Sequence, residues 1–316
     1  MGVKIFFVIS GFLITTLLLK EKIQTGNISL KLFYARRFLR ILPVAFLYLL
    51  TLFVLNGYLH LNIQRLSFLS ALCFFQNLPI KNVYNWYTSH FWSLSVEEQF
   101  YISFPFLLAF SSNKYFKVLL LLVVFIPVIM WLGYHNIGIF YSNRIVHLFT
   151  YGIINLFGST LNILIGSLFS MLMFKGFFEI KKRWITNYLS LILLVIAILI
   201  SSHRFLFFVP YLDIVLFPVL IGLVIILNLS TTNILVTILN SKLLVYLGLL
   251  SYSLYIWQQL FTNSQNLIIP SSSIPVQLLS LLIVANVSYY LYEKPFLKLK
   301  SHFIKKDLNA KRNHNN

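Results

Sequence analysis

Two adjacent carboxylates, Glu97 and Glu98, stand in the stretch "FWSLSVEEQF" (91–100) of a chain that holds only 7 Asp and Glu among 316 residues. Ionisable groups within apolar segments are expensive and mark functional sites by default. Neighbours on a helix point about 100° apart, so the two cannot share one partner unaided. One carboxylate is expected to face the interior of a helix bundle and the other a polar rim. The competing structural account is a helix N-terminus whose dipole favours acid, with Ser93 or Ser95 as cap. His90 lies just upstream, where an imidazole beside a carboxylate could act as general base. His60, His135, His147, His203, His302 and His314 fall in predicted loops or the tail and are read as solvated or interfacial.

A second cluster lies in "FYARRFLRILP" (33–43). Arg37 and Arg40 are three apart, on one helical face, with Arg36 beside them. Guanidiniums so placed can grip phosphate bidentately, but a basic cluster at a cytoplasmic helix end is also what membrane topology produces. In "FFVISGFLI" (6–14), Ser10 and Gly11 suit close helix approach, with packing the default reading. "GLLSYSLYIWQQ" (248–259) sets Ser251, Ser253, Gln258 and Gln259 among aromatics, a stripe able to line a polar cavity. No HExxH, Walker loop, GxGxxG or Cys/His spacing occurs, so neither a metal nor nucleotide hydrolysis has support, and no metal is expected.

Of all residues 59% are hydrophobic, 17% aromatic and 10% charged, which excludes an ordinary soluble domain. The reading is an all-α polytopic membrane protein. Nine apolar runs are long enough to be spans: 3–19, 41–58, 95–110, 116–133, 157–174, 185–201, 211–228, 243–261 and 274–292. The run 66–79 is short and reads as interfacial or re-entrant. The net charge of +18 would suggest nucleic acid in a soluble protein. Here the basic residues gather between apolar runs, so charge reports topology first and anionic lipid second, with no nucleic acid expected. With the C-terminal tail cytoplasmic and spans alternating, all Lys and Arg fall inside except Lys4, Arg65, Lys81, Arg144 and Arg204. This arrangement puts the N-terminus outside. Cys73, the single cysteine, allows no internal disulfide. The start lacks a secretory signal, and Phe6 in "MGVKIF" fails the myristoylation pattern. Residues 1–297 form one membrane domain and 298–316 a basic cytoplasmic tail, partly disordered.

In this order, "GVKIFFVISGFLIT", "ARRFLRILP", "HFWSLSVEEQFY", "LLSYSLYIWQQ" and "YEKPF" resemble the motifs of the integral-membrane acyltransferase family (acyltransferase family 3) that includes O-antigen, exopolysaccharide and peptidoglycan O-acetylases. The resemblance runs from residue 2 to about 297. It implies a ten-helix fold in the bacterial inner membrane that moves an acyl group, usually acetyl, from acyl-CoA to a hydroxyl of a cell-envelope glycan, lipid-linked or polymeric. On that resemblance Arg37 and Arg40, with Arg36 assisting, bind donor phosphates. Glu97, Glu98 and His90 belong to the catalytic centre, and Ser10, Ser95, Gln99, Ser251 and Gln258 contact substrate. Family members carry an Arg and a catalytic His on a helix before "GVKIFFVISGFLI", and this chain starts after that place. The expectation is an N-terminally truncated member with impaired activity. The alternatives are a non-catalytic remnant, or a transporter or flippase of a glycan or acyl group, although no inverted repeat is found.

Overall fold

The computed structural model describes residues 1–78, 80, 83–134, 158–178, 184–202, 212–229, 233–262 and 273–299. Among these, every regular element is helical. The chain runs through α1 (Gly2–Thr25), α2 (Leu30–Leu59), α3 (Arg65–Leu72), α4 (Trp86–Ser89), α5 (Phe91–Phe110), α6 (Ser112–Tyr134), α7 (Thr160–Phe174), α8 (Trp184–Ser201), α9 (Leu212–Leu229), α10 (Ile234–Leu239), α11 (Lys242–Phe261) and α12 (Ile274–Val287). A π-helical turn over Ser288–Glu293 continues α12. His135, His147, Arg144, Lys181, Lys182, Arg183, His203, Arg204, Lys81 and nearly all of the tail lie outside the described residues.

Over the described residues, each of the nine apolar runs falls largely on a helix. Among the described residues, four stretches are long and apolar enough by themselves to cross a bilayer: Gly2–Thr25, Leu30–Leu59, Ser112–Leu132 and Ile274–Leu299. The run 66–79 gives only the eight-residue α3, about 12 Å long at 1.5 Å per residue, too short for a crossing of roughly 30 Å. Sequence periodicity did not foresee the short α4 and α10. Their starts are set by side-chain caps: Asn85 Oδ1 accepts from the Tyr87 amide at 3.0 Å, and Asn233 Oδ1 from the Val236 amide at 2.9 Å. One boundary alters the chemistry. Helix α5 begins at Phe91 and not at 95, so Ser93 and Ser95 lie inside it and are not its N-cap, and Glu97 is beyond the first turn. The helix-dipole account of the carboxylates therefore fails.

The chain divides into two compact units. The first comprises Met1–Ile28, Asn77–Pro79 and Ser93–Ser241; the second Ser29–Gln76, Ile80–Trp92 and Lys242–Asn316. In the first unit α1 packs chiefly along α7, and α9 lies against α1, α7 and α8. The α1–α7 crossing is set by two glycines. A Cβ on Gly11 would run into the Ile163 carbonyl, and one on Gly166 into that of Val8. Only hydrogen in place of a side chain lets the two backbones meet this closely. Val8, Ala197, Phe217, Leu220 and Ile221 pack together beside this crossing. At the other end of α1, Gly26 takes a left-handed φ of 75° and ends the helix. Lys22 there donates to the Leu108 and Ala109 carbonyls of α5 at 3.2 and 3.4 Å.

In the second unit α11 packs against α2, α4 and α12, and the π-helical turn packs against both α2 and α11. Tyr252 Oη on α11 donates to the Ile41 carbonyl of α2 at 2.6 Å.

Candidate functional site

In the first unit, Glu97 sits inside α5 with 6% of its surface exposed. A carboxylate taken out of water must be met by donors. Ser10 Oγ, on α1, donates to Glu97 Oε1 at 2.6 Å, and Tyr101 Oη donates to the same oxygen. The two hydroxyls are themselves 2.6 Å apart. Tyr101 is one helical turn beyond Glu97, the spacing that brings side chains on one face into contact. Bonds to an ionised carboxylate are stronger than neutral ones, so this three-residue cluster stabilises a negative charge in an apolar surrounding. It can also pass a proton between carboxylate and hydroxyl. Glu98, the next residue, is only half-buried, so the pair is split between an interior and a more open position, as the 100° rotation demands. Gln99, also half-buried, forms a reciprocal amide pair with Asn77: Asn77 Nδ2 donates at 3.0 Å and Gln99 Nε2 at 2.9 Å. Ser95 is fully buried within α5.

Further along α1 a second buried hydroxyl cluster follows. Thr15 Oγ1 and Tyr115 Oη lie 2.7 and 2.6 Å from Ser167 Oγ of α7, and Thr16 Oγ1 lies 2.8 Å from Ser170 Oγ. The sequence reading missed Tyr101, Tyr115 and these α7 serines. Tyr101 alone carried a signal, its spacing of four from Glu97.

In the second unit, His90 is buried in an aromatic enclosure. Its ring lies 5.2 Å from Tyr48, 4.8 Å from Phe91 and 5.6 Å from Tyr255, centroid to centroid. Tyr255 Oη donates to the His90 carbonyl at 2.7 Å, and Tyr48 Oη to that of Tyr87 at 2.6 Å, so the segment leading into α5 is held by two tyrosines. Of the arginines on α2, Arg36 and Arg37 are half-buried and Arg40 is exposed. Arg37 lies over the Phe33 ring at 5.9 Å, within cation–π range. Exposed or half-exposed guanidiniums on one helical face can reach an anion, so this set fits a phosphate-bearing ligand. Of the α11 stripe, Ser251 is exposed and turns back to the Gly248 carbonyl at 2.8 Å. Gln258 is half-buried. The buried member is Ser253, whose Oγ donates to Glu293 Oε2 at 2.8 Å. Among the described residues no group of three His, Cys, Asp or Glu could hold a metal ion.

Among the described residues the chain is all-helical and apolar, with a hydroxyl-bound carboxylate in one unit and an arginine face in the other, the make-up of a membrane protein. The family model described as an acyltransferase domain, acyltransferase family 3, matches residues 1–293. The chain belongs to this integral-membrane acyltransferase family. It is 39% identical over 132 residues to a Staphylococcus aureus (strain COL) protein provisionally named as an O-acetyltransferase, covering 37% of this chain and 22% of that protein. It is 34% identical over 151 residues to O-acetyltransferase OatA of Staphylococcus aureus (strain NCTC 8325 / PS 47), covering 42% and 24%. A Haemophilus influenzae (strain Rd) protein without an assigned function is 35% identical over 136 residues, 38% of this chain and 54% of that one. The matches thus span under a quarter of the Staphylococcus relatives and about half of the Haemophilus one. No solved structure matches the chain.

Proposed function

We propose that the chain transfers an acyl group, acetyl in the first instance, from acyl-CoA to a hydroxyl of a cell-envelope glycan in the bacterial inner membrane. The observation that carries this reading is the buried Glu97 with its two hydroxyl donors. A sugar hydroxyl is a poor nucleophile, and a carboxylate positioned in a water-poor site can take up its proton as it attacks. Ser10 and Tyr101 hold Glu97 Oε1 in place, which fixes the carboxylate as the base. Half-buried Glu98 lies towards the more open side, where the acceptor arrives; Ser95 and Gln99 line the same helix. Arg37 and Arg40, assisted by Arg36, bind the donor's phosphates; as the new ester bond forms the donor's thioester C–S bond breaks, and CoA leaves as the thiol with the proton taken from the hydroxyl. His90, fixed by Tyr48 and Tyr255, and the Ser251–Gln258 face of α11 contribute to substrate contacts within the second unit.

The test is acyl transfer from radiolabelled acetyl-CoA to envelope glycan in membranes carrying the chain. Glu97→Gln is expected to lower product formation by about 100-fold or more with the protein still inserted. Full activity of Glu97→Gln would remove the carboxylate from the reaction. Saturable glycan movement that needs no acyl-CoA and is lost in the same variant would favour a transporter instead.

A further inference from the structure

We propose that Glu293 is a positioning residue for Arg40: the buried Ser253–Glu293 pair fixes the guanidinium with which α2 grips the donor's phosphates. The inference rests on the donor reading above and adds to it a residue that the arginine motif does not contain.

Glu293 is 3% exposed, on a segment apolar enough to span a membrane. A carboxylate there is costly unless donors and an opposite charge meet it. Ser253, fully buried on α11, supplies one donor at 2.8 Å. Arg40, on α2, supplies the charge: Tyr252, next to Ser253, donates to the carbonyl of Ile41, next to Arg40, at 2.6 Å, which sets Arg40 within electrostatic reach of Glu293 and Tyr289. Three elements therefore converge: α2 brings the arginine, α11 the serine and the π-helical turn the carboxylate, and that turn packs on both helices.

The π-helical turn is the device that aims Glu293. One extra residue in the winding advances the side-chain phase by about 100° relative to a continued α-helix. Glu293 thereby points inward, while the next residue, Lys294, is exposed. Such turns are unfavourable by local energetics and concentrate at functional sites. Arg40 itself is exposed. A long exposed side chain samples many rotamers, and binding an anion with it costs their loss. A buried carboxylate anchored by Ser253 and attracting the guanidinium from a fixed point removes part of that cost beforehand. The planar fork, with five N–H donors, still has donors left for phosphate. Arg37, stacked on Phe33, keeps the face net positive despite the carboxylate.

The experiment is calorimetric titration of CoA into the purified full chain in nanodiscs at fixed salt, for wild type, Arg40→Ala, Glu293→Gln and the double variant. Each single change is expected to raise Kd about tenfold, with the double variant no weaker than Arg40→Ala, because the carboxylate acts through the arginine. A structural role alone would give additive losses, and additivity would overturn the proposal. So would unchanged or tighter CoA binding by Glu293→Gln alongside weakened binding by Arg40→Ala, an outcome that leaves the donor reading standing. If Arg40→Ala binds CoA as wild type does, the donor reading falls and the positioning role with it. Should Glu293→Gln fail to insert, Ser253→Ala takes its place. A smaller loss, absent in the Arg40→Ala background, supports the proposal, and wild-type affinity overturns it.

Discussion

At the scale of single residues, the position that stands out by context is the one the structure makes most use of. Glu97 was legible in the sequence because an acid in an apolar run demands partners, and the helix rotation between Glu97 and Glu98 foretold that they would part. The partners were legible only in part. Tyr101 lies one turn away on the same helix, but Ser10 is 87 positions distant, and nothing in the sequence pairs it with Glu97 rather than with a packing helix. The same holds for Ser253 and Glu293, 40 apart. The hydroxyls around Glu97 make a separable prediction. Removing either by Ser10→Ala or Tyr101→Phe withdraws one charge-assisted hydrogen bond, of about 1.5–3 kcal/mol, and leaves the other in place. Each variant is expected to transfer acyl groups about tenfold or more slowly than wild type in initial-rate assays at saturating donor. Wild-type rates in both would mean that the hydroxyls only satisfy the carboxylate in the folded protein and do not tune its reactivity.

At the scale of elements, the pairing of α1 with α7 depends on what is missing from two positions. The small residues of "FFVISGFLI" announced that a helix would come close, yet which helix could not be read, since α7 begins some 150 positions later in the chain. Backbone contact at Gly11 and Gly166 brings the hydroxyls of Thr15, Thr16, Ser167 and Ser170 within bonding distance, so packing and polar contacts reinforce each other. Their weights differ. An added methyl at Gly11 or Gly166 meets backbone that cannot rotate away, and overpacking of this kind costs about 1–3 kcal/mol or more. A single interhelical hydrogen bond within a membrane averages about 0.6 kcal/mol. Gly166→Ala is therefore expected to lower thermal stability in detergent clearly more than Ser170→Ala does, as followed by loss of the monodisperse peak after heating. The reverse order would mean that the helices can separate slightly and that the hydroxyl bonds hold the pair.

At the scale of the whole molecule, helix positions were readable because hydropathy alone determines where a chain can be buried in lipid, whereas the two-unit division was not, because it interleaves distant segments. Orientation is the property on which sequence and structure bear independently. The charge count assigns Lys22, Lys114 and Lys175 to one side of the membrane. In the first unit, Lys22 at the end of α1 bonds carbonyls at the end of α5, just before Lys114, and Lys175 at the end of α7 lies over Phe116 at the start of α6, 4.6 Å from the ring centroid. Lys4, which the count puts on the opposite side, stands at the other end of α1, over the ring of Phe217. The lysines sorted by charge statistics are thus sorted the same way by packing. Reporter fusions after residues 26 and 175 are expected to give fluorescent cytoplasmic protein and no phosphatase activity, and a fusion after residue 60, beyond α2, the converse. Active phosphatase at 26 together with fluorescence at 60 would invert the topology. It would also carry Arg37 and Arg40 to the side of the membrane where no CoA is found, and the donor reading could not survive it.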